Sequence, residues 1–459
     1  MEHQLTALSP LDGRYHDKTT PLQAYFSEYA LIKYRVIVEL KWLLALSKEK
    51  NISEFSAFTA EQENKIYKFI QDFSLTHALE VKKLESTTNH DVKAVEYFLK
   101  KELFALLNLT EAEQLKLEFI HFACTSEDIN NLAYALMLKE GTETVLIPKL
   151  EEIALFLKKQ ANQFAHLPML SRTHGQPASP TTLGKEFANF YMRIKDQIDS
   201  LKNFAYLGKI NGAVGNYNAH QISYPEVDWL KFGQNFVQSL GLKTNLYTTQ
   251  IEPNDGLATY CHNLSRINII LLDMCQDLWG YVAFDYFKLK TVATEVGSST
   301  MPHKVNPIDF ENAEGNLGVA NTLLHHLASK MPVSRFQRDL SGSTVIRNIG
   351  VGLGNSFLAY LSILKGFGKL DINQERIKED LNEHIEVLTE GIQTVMRRYG
   401  IAEPYEKLKA LSRGKKLDVA TLKEFITRLE LPETVKTNML TLLPENYIGL
   451  ATKLAENLE

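Results

Sequence analysis

Apolar residues recur at three- and four-residue steps through most of the chain, which is the spacing of one face of an α-helix. Leu146, Leu150, Ile153 and Leu157 form one such face. A longer one extends from about residue 257 to 290, and a continuous helix of ~30 residues would span ~45 Å at about 1.5 Å per residue. The pattern therefore predicts a mainly α protein that is built around long helices.

Strand-like alternation is scarce, and its two candidates, residues 203–210 and 245–252, are polar enough to be loops instead. Long helices with Gly- and Pro-marked connectors predict a central bundle, which we place at residues 116–368. Residues 1–115 and 369–459 have shorter patterns and are expected to form N-terminal and C-terminal helical domains. Because the long helices are apolar on more than one face, we expect them to pack against other copies of the chain.

The composition is that of an ordinary soluble protein, with 459 residues, 23% charged residues and a net charge of -5. This balance gives no general attraction to nucleic acid or to an anionic membrane, so we expect neither as a partner. The most apolar stretch, residues 267–284, is interrupted by Asp273, Gln276 and Asp277 and predicts a buried helix rather than a membrane span.

The three cysteines have no short spacing, so they fit neither a disulfide framework nor a zinc site. So sparse a count suits a reducing compartment. The N-terminal stretch has no cationic region followed by an apolar one, so we expect no signal peptide and a cytoplasmic location.

Polar segments interrupt the apolar helices, and the first of them covers residues 87–99. Asn89 and Asp91 are candidates to cap the helix that follows. On that interpretation alone, His90 would be a solvated side chain.

The second polar segment, residues 121–131, has the composition of a helix N-terminus. Thr125 or Ser126 precedes Glu127 and Asp128. Free backbone N–H groups at such an end favour an anionic ligand, although helix capping alone would also explain these residues.

The third segment, residues 171–182, holds His174 among Pro177 and Pro180. This backbone cannot be helical, so the pattern predicts a stiff loop between a helix ending near residue 166 and one beginning near residue 181. A loop histidine is either an unspecialised surface residue or a group for proton transfer near neutral pH, and the segment alone leaves both open.

The fourth segment, residues 294–307 (TEVGSSTMPHKVNP), combines Gly297 and two serines with Lys304 just before a predicted helix start. Asn306 and Pro307 are typical of an N-cap and a first helical position. An exposed linker would also be rich in Ser and Gly, but a cation beside backbone donors is suited to bind a carboxylate.

The fifth segment, residues 334–348, carries three arginines together with Ser343 and Thr344. Guanidinium and hydroxyl donors suit phosphate or carboxylate, and the alternative is a solvated charged stretch. The sequence has no glycine-rich nucleotide loop and no metal-ligand spacing, so we expect no cofactor and no metal.

Read together, these segments resemble a known enzyme family. GSSTMPHKVNP, residues 297–307, matches the signature of the fumarase/aspartase superfamily. SPLDGRY, TTNHDVKAVEYFL, SRTHGQPA, LGKINGAVGNYNAH and TTQIEP narrow the resemblance to the adenylosuccinate lyase family of bacterial purine synthesis, in order along essentially the whole chain. One departure is Gly342, which stands where an acidic residue is expected and puts the local loop shape in question.

The resemblance implies a three-domain, mainly helical subunit whose central helices form a homotetramer with active sites shared between subunits. It implies β-elimination of fumarate from succinylated purine nucleotides, which are small-molecule substrates. Adenylosuccinate would give AMP, and the succinylated imidazole-carboxamide ribotide would give its free amide.

Residue roles also follow from the resemblance, position by position. Ser298 is expected to be the general base, His174 the general acid and Glu311 a residue that orients His174. Lys304 and nearby backbone N–H groups are our hypothesis for how Ser298 becomes basic. The expected substrate-binding residues are Arg14, Tyr15, Asn89, His90, Asp91, Thr125, Ser126, Gln250, Ser299, Lys304, Val305, Asn306, Asn312, Arg338, Ser343, Thr344, Val345, Ile346 and Arg347.

Two other interpretations compete with this one. Another fumarate-releasing lyase, such as argininosuccinate lyase or fumarase, would not need the arginine-rich segment or the DGRY segment. A helical scaffold that had lost its chemistry would not need Ser298, His174 and Lys304, and all three are present.

Overall fold

The computed structural model of the protein describes residues 2–291, 300–301, 303–413 and 417–458. Helices account for 67% of the chain, which confirms the predicted mainly α fold with long helices.

The helices are numbered here in chain order. Up to residue 141 they are α1 (Glu2–Leu5), α2 (His16–Phe26), α3 (Glu28–Ser47), α4 (Ala60–Gln71), α5 (Leu75–Thr88), α6 (Asp91–Leu106) and α7 (Ser126–Gly141). The middle of the chain forms α8 (Ile147–Gln163), α9 (Leu183–Lys202), α10 (Asn218–Ser223), α11 (Trp229–Ser239), α12 (Asp255–Ala283), α13 (Ile308–Lys330), α14 (Ser341–Ile346) and α15 (Ile349–Lys369). The last helices are α16 (Gln374–Asn382), α17 (Thr389–Arg398), α18 (Pro404–Ser412), α19 (Val419–Thr427), α20 (Glu433–Leu440) and α21 (Ala451–Glu456). Short 3-10 segments lie at Glu111–Phe119, Ile385–Leu388 and Pro444–Asn446, and a π-helical turn lies at Thr142–Leu146.

The described strands pair in twos. β1 (Pro168–Thr173) and β2 (Gln176–Thr182) form an antiparallel hairpin, β3 (Leu207–Gly208) pairs in parallel with β4 (Lys243–Thr244), and β5 (Phe287–Leu289) pairs antiparallel with β6 (Leu370–Ile372). Of the two strand candidates from the sequence, 203–210 contributes only β3, and 245–252 contributes no strand.

The segment around His174 is this hairpin, so the predicted stiff loop was wrong in its secondary structure. Pro177 and Pro180 lie within β2. Proline is tolerated there because a two-stranded ladder consists only of edge strands.

The chain divides into two compact units that alternate along the sequence. The first comprises Met1–Lys149, Gln197–Asn268 and Asn316–Ala359, and the second comprises Leu150–Asp196, Ile269–Gly315 and Tyr360–Glu459. The predicted division into three domains at residues 115 and 368 stays a prediction.

The predicted apolar faces are buried as the periodicity indicates. Leu146, Leu150, Ile153 and Leu157 are all fully buried. The long helix predicted from residue 257 to 290 is α12, which has 29 residues and ends at Ala283 because the chain turns into β5.

Helix α3 forms the core of the first unit. Ser27 caps it by accepting a hydrogen bond from the backbone N–H of Ala30 (3.1 Å). Trp42 is fully buried and packs edge-on against Phe232 and Phe236 of α11, with ring centroids 5.4 and 4.9 Å away. Fourteen of the 20 residues of α3 are buried, so its apolar positions are not confined to one narrow face, and its sequence has almost no amphipathic pattern.

A buried polar link joins the long helices inside the first unit. The side-chain amide of Asn268 on α12 donates to Asn321 of α13 (3.0 Å) and to Ser356 of α15 (2.9 Å). Three helices are therefore fixed in register, because each partner of this buried amide must stay in place to satisfy it.

Aromatic stacking packs the helices of the second unit. Phe367 of α15 stacks on Phe156 of α8 with centroids 3.9 Å apart and lies 6.1 Å from Phe310 of α13. Gly366 allows α15 to lie close to the Phe310 ring, since a Cβ atom at this position would be 2.7 Å from that ring. Across the described residues, no helix combines the length and the apolar character needed to cross a membrane.

His220 is a fully buried histidine whose two ring nitrogens have no hydrogen-bond partner in the described part of the chain. The rings of Trp229, Tyr217 and Trp42 surround it at centroid distances of 4.8, 5.2 and 6.2 Å. Burial, with a smaller contribution from the charge of Lys209, lowers the pKa of His220 to about 4. The imidazole is therefore neutral inside the folded protein.

This burial predicts a loss of stability in acid that can be assigned to His220. Because its pKa is lower in the folded than in the unfolded state, the unfolded chain takes up the proton first as the pH falls from about 6.5 to about 4. This preferential protonation of the unfolded chain lowers the free energy of unfolding by about 3 kcal/mol over that pH range. In the His220→Phe variant, this part of the loss of stability at low pH should disappear. Urea unfolding at pH 7.5 and 4.0 measures this loss of stability. The matched control is His326→Phe, which changes an exposed histidine. Equal sensitivity of the two variants to acid would refute the assignment.

Candidate active site

A cavity of about 410 Å³ in the first unit collects polar side chains that are far apart in sequence. Its polar lining includes the arginines Arg35, Arg338 and Arg347 and the carboxylates Glu85, Asp91, Glu127, Glu252 and Asp339, together with Asn89, His90, Ser126, Asn130, Tyr134 and Ser343. Eight of the expected substrate-binding residues line it: Asn89, His90, Asp91, Ser126, Arg338, Ser343, Ile346 and Arg347. The structure thus brings the first, second and fifth polar segments together.

The second polar segment forms the helix N-terminus that the sequence predicts. Thr125 is the N-cap of α7, and its backbone N–H donates to Asp128 Oδ2 (2.8 Å). Asp128 also accepts from the backbone N–H groups of Asn211 (3.0 Å) and Gly212 (3.1 Å). Lys209 Nζ lies 2.9 Å from Asp128 Oδ1, and both side chains are fully buried. This carboxylate therefore fixes residues 209–212 against the first turn of α7, where Ser126 faces the cavity.

Arg338 lies at the centre of a hydrogen-bond fork. Its guanidinium donates to Gln250 Oε1 (2.9 Å), Glu127 Oε1 (3.1 Å) and Ser343 Oγ (3.3 Å). The amide of Gln250 is fixed in turn, because its Nε2 donates to the carbonyl of Ala213 (3.1 Å). Arg338, Gln250 and Ser343 were all expected in the site, and the structure joins them directly.

A second fork surrounds Asp91. Its Oδ2 accepts from Arg35 (2.6 Å) and Arg347 (3.0 Å), and Arg347 also donates to Glu28 (3.2 Å). Arg35 is almost completely buried and donates its Nε–H to Asn130 Oδ1 (2.8 Å). Burial raises the pKa of the Asp91 carboxyl, but the charge and hydrogen bond of Arg35 outweigh this effect and hold the pKa below its usual range.

The first polar segment is capped differently from the prediction. His90, not Asn89, is the N-cap of α6, since His90 Nδ1 accepts from the backbone N–H of Lys93 (3.1 Å). Asn89 has a positive φ of 51° and ends α5, a conformation that asparagine tolerates well. Asp91 is the first residue of α6 and accepts from the N–H of Val92 (2.9 Å).

Residues 341–346 of the arginine-rich segment form α14, which contains Gly342, Thr344 and Val345, while the three arginines lie outside the helix. Gly342, which stands where an acidic residue is expected, raised a question about the local backbone shape, and the space around it answers this question. A Cβ atom there would meet Met331 Cε at 3.7 Å, which is ordinary van der Waals contact. The position does not require glycine, and the glycine does not prevent the helix.

In the second unit, His174 is at the tip of the β1–β2 hairpin. His174 and Gly175 form its two-residue turn with φ values of 53° and 74°, as in a type I′ turn. The imidazole is exposed there.

Only part of the fourth segment is described. Ser298 and Ser299 lie outside the described residues. Lys304 and Val305 are exposed, and Asn306 is half-buried. Helix α13 begins at Ile308, and the carbonyl of Pro307 accepts from Phe310 (3.1 Å), so the helix starts one residue later than predicted.

The two remaining candidates of this unit are on the first turns of α13. Asn312 Oδ1 accepts from Ser362 of α15 (2.8 Å). Glu311 Oε1 accepts from the indole N–H of Trp279 (3.1 Å), so its expected pairing with His174 stays a prediction.

Arg14 and Tyr15 lie just before α2, with Tyr15 as its N-cap. The guanidinium of Arg14 lies 5.8 Å from the centroid of the Tyr15 ring. Neither residue lines the cavity.

Sequence reasoning missed several residues that organise the cavity, namely Arg35, Glu28, Glu127 as a partner of Arg338, and Asn130. One signal was present for Arg35: with Glu39, it forms a pair of charged residues spaced by one helical turn in α3, on a different face from Lys33 and Lys41. No cluster of metal-ligating side chains occurs among the residues described.

Comparison with known proteins identifies what this chain resembles. A family model described as lyase matches residues 13–321, and one described as adenylosuccinate lyase C-terminal matches residues 334–448. The chain is 53% identical over 455 residues to adenylosuccinate lyases of Haemophilus influenzae and Escherichia coli K12, covering 99% of this chain and of each relative. It is 54% identical over 458 residues to that of Legionella pneumophila strain Corby, covering 98% of both.

Solved structures show the same fold at low identity. A fumarate lyase from Mesorhizobium sp. BNC1 has a TM-score of 0.74 at 17% identity, covering 96% of this chain and 97% of that one. A 3-carboxy-cis,cis-muconate lactonizing enzyme from Pseudomonas putida has a TM-score of 0.68 at 18% identity, covering 94% and 96%. These likenesses support the predicted superfamily fold.

The fork around Asp91 predicts that Arg35 is important for stability. Arg35→Gln should lower the free energy of unfolding by about 3 kcal/mol, because it removes one partner of a buried ion pair while Arg347 still holds Asp91. Urea unfolding measures the change. Lys33→Gln, on the same helix and with the same loss of charge, is the control and should stay within about 0.5 kcal/mol of the parent. Equal losses in the two variants would contradict the role of Arg35.

Proposed function

Because the chain belongs to the adenylosuccinate lyase family, whose members release fumarate by elimination in purine biosynthesis, we propose that it carries out both eliminations of that pathway. The chain is a lyase that acts on small molecules. The two proposed substrates are adenylosuccinate and the succinylated imidazole-carboxamide ribotide, and the product shared by both is fumarate.

The observation that best supports these substrates is the grouping of Arg338, Arg347, Ser343 and Ser126 around one cavity. A succinylated nucleotide carries a phosphate and two carboxylates, so its site must supply several cationic and hydroxyl donors. Both guanidiniums are held by carboxylates of the chain, which orients them without consuming all of their N–H groups. A planar, pre-oriented guanidinium is well suited to a phosphate.

The elimination needs a base, an acid and a means of stabilising negative charge. Ser298 removes a proton from the carbon beside a substrate carboxylate, and the electron pair of that C–H bond forms the double bond of fumarate as the C–N bond breaks. The carbanion is accessible only if donors hold the charge that develops on the carboxylate, a role we assign to Lys304 and Asn306. His174 gives its proton to the departing nitrogen.

The assembly is part of the same proposal. Large apolar side chains are exposed on the long helices, including Ile269 and Trp279 on α12 and Val319 on α13. A surface of this kind suits contact with further copies of the chain. We assign it to a homotetramer whose active sites combine residues from different subunits. The three cysteines are free, which suits the reducing cytoplasm as its location.

Turnover tests the reaction and the two catalytic roles together. Purified protein mixed with adenylosuccinate should release fumarate and AMP, followed by absorbance and by chromatography. His174→Ala and Ser298→Ala should each lower kcat by roughly 10²–10⁴-fold, because each removes a proton-transfer group. His166→Ala, which changes an exposed histidine just before β1, is the control. Absence of turnover by the parent protein would contradict the function, and full activity of either variant would contradict that residue's role.

Shared sites predict that two inactive variants rescue each other. When His174→Ala and Ser298→Ala chains are unfolded together and refolded, some sites in the mixed tetramers receive both intact residues, provided the two come from different subunits. Activity should then return, and light scattering should give the mass of four chains. Refolding each variant alone is the control. Mixed tetramers that stay inactive would show that both residues of a site come from one chain.

A further inference from the structure

The hairpin that carries His174 cannot define the position of its own tip. An isolated two-stranded hairpin is marginally stable in water. This one has a register irregularity between Met169 and Ser171, and its two turn residues are exposed. Whatever orients the imidazole must therefore act on the strands on either side of the turn.

The first attachment is ionic and lies two residues before His174. The guanidinium of Arg172 on β1 donates to Asp380 Oδ2 of α16 at 2.6 Å. The hydroxyl of Tyr286 donates to the same oxygen, and Asp380 is only 5% exposed. Arg172 also lies 4.8 Å from the centroid of the Phe284 ring. A planar guanidinium held by a buried carboxylate and an aromatic face has little freedom to move.

Charged neighbours surround the same carboxylate. Arg376 and His384 lie 3.7 and 3.9 Å from Asp380 Oδ1. Burial raises the pKa of Asp380, but the hydrogen bonds from Tyr286 and Arg172 outweigh this effect and bring the pKa below its ordinary value. Asp380 is therefore a carboxylate at neutral pH, as an ionic attachment requires.

Two further contacts hold the hairpin to the C-terminal part of the chain. Leu170 on β1 packs in a small apolar cluster with Leu381 and Val387. On β2, the hydroxyl of Ser179 donates to Glu390 of α17, which also accepts from the hydroxyl of Tyr447 (2.9 Å). Both strands are thus attached, one on each side of the turn.

A contribution to stability does not by itself explain why Arg172 and Asp380 form an ion pair. Leu170 already supplies an apolar contact, and a buried ion pair is often no more stabilising than hydrophobic residues of the same volume. What the pair adds is a fixed geometry close to the turn. Residues 369–459 contain none of the expected catalytic or substrate-binding residues, so positioning would also give this part of the chain a role in the reaction.

We propose that Asp380 is a positioning residue for His174, acting through Arg172 to hold the tip of the hairpin where the imidazole can protonate the departing nitrogen. The inference rests on the proposed role of His174 as general acid. On this proposal, the C-terminal part of the chain supports the hairpin that carries His174 and so contributes to the reaction. Proton transfer is sensitive to such placement, because a displacement of about 1 Å can cost on the order of 10²-fold in rate.

The first test compares Asp380→Asn with Glu379→Gln, the neighbouring carboxylate on the same helix. Glu379 is exposed and pairs only with Arg376 among the described residues, at 3.7 Å. We expect Asp380→Asn to lower kcat about 10- to 100-fold while KM changes less than about twofold, because the substrate-binding residues stay in place. Amide hydrogen exchange of residues 168–182 should become faster in Asp380→Asn and stay unchanged in Glu379→Gln.

The second test asks whether Asp380 acts through His174. If it does, Asp380→Asn should cost nothing further in kcat when His174 is already alanine, whereas independent effects would multiply. Multiplying losses would overturn the inference. So would unchanged exchange of the hairpin in Asp380→Asn.

These results separate the inference from the proposed function. If the hairpin loosens in Asp380→Asn but kcat holds, the inferred attachment exists and His174 is not the acid. Tyr286→Phe provides a milder variant in case Asp380→Asn folds poorly, since it removes one hydroxyl and leaves the Arg172 pair. It should lower kcat in the same direction by a smaller factor, and an unchanged kcat would count against the proposal.

Discussion

The buried ion pair between Lys209 and Asp128 is the interaction on which the cavity depends. Both side chains are fully buried, so each charge must be compensated inside the protein. Asp128 accepts from three backbone N–H groups besides Lys209, and Lys209 also donates to the carbonyl of Gly212 (3.2 Å). Removing one member of such a set leaves an uncompensated charge, which costs about 3–5 kcal/mol. The first turn of α7 and residues 209–212 are therefore fixed together. The hydrogen-bond donors on this turn that face the cavity are held rigidly as a result.

The same rule governs the other charges buried within apolar helices. Arg35 is tolerated inside α3 because Asp91 and Asn130 satisfy its guanidinium, and the pairing connects α3 to the start of α6 and to α7. In the second unit, Asp380 is tolerated on α16 because Arg172 and Tyr286 satisfy it. Each of these pairs connects an element of the core to a segment with expected chemistry. The requirement that buried charges be paired thus becomes a means of holding polar segments in place on an apolar framework.

How much the sequence could predict depends on how local the physical signal is. The faces of α8 and α12 were predictable because burial repeats every turn within a single helix. The N-terminus of α7 was predictable because its cap and first turn are adjacent in sequence. Arg35 and Glu127 were missed as site residues because their partners, Asp91 and Arg338, are 56 and 211 positions away. The β1–β2 hairpin was missed for a different reason: prolines on an edge strand resemble a loop, and a two-stranded ladder has no buried alternation to reveal it.

His174 shows why local and distant constraints must act together. A non-glycine residue with positive φ is uncommon, although histidine, like asparagine and aspartate, adopts the conformation more often than other residues. Such a conformation persists only where the surrounding structure over-determines it. The end of the turn is open, since nothing lies within 4 Å of a Cβ placed on Gly175. The pairing of β1 with β2 sets this turn conformation, whereas the position of the whole hairpin depends on Arg172 and Ser179, whose partners lie more than 200 residues further along the chain. An exposed imidazole at the end of a narrow hairpin can approach a substrate with little steric hindrance, and this accessibility makes the distant attachments necessary.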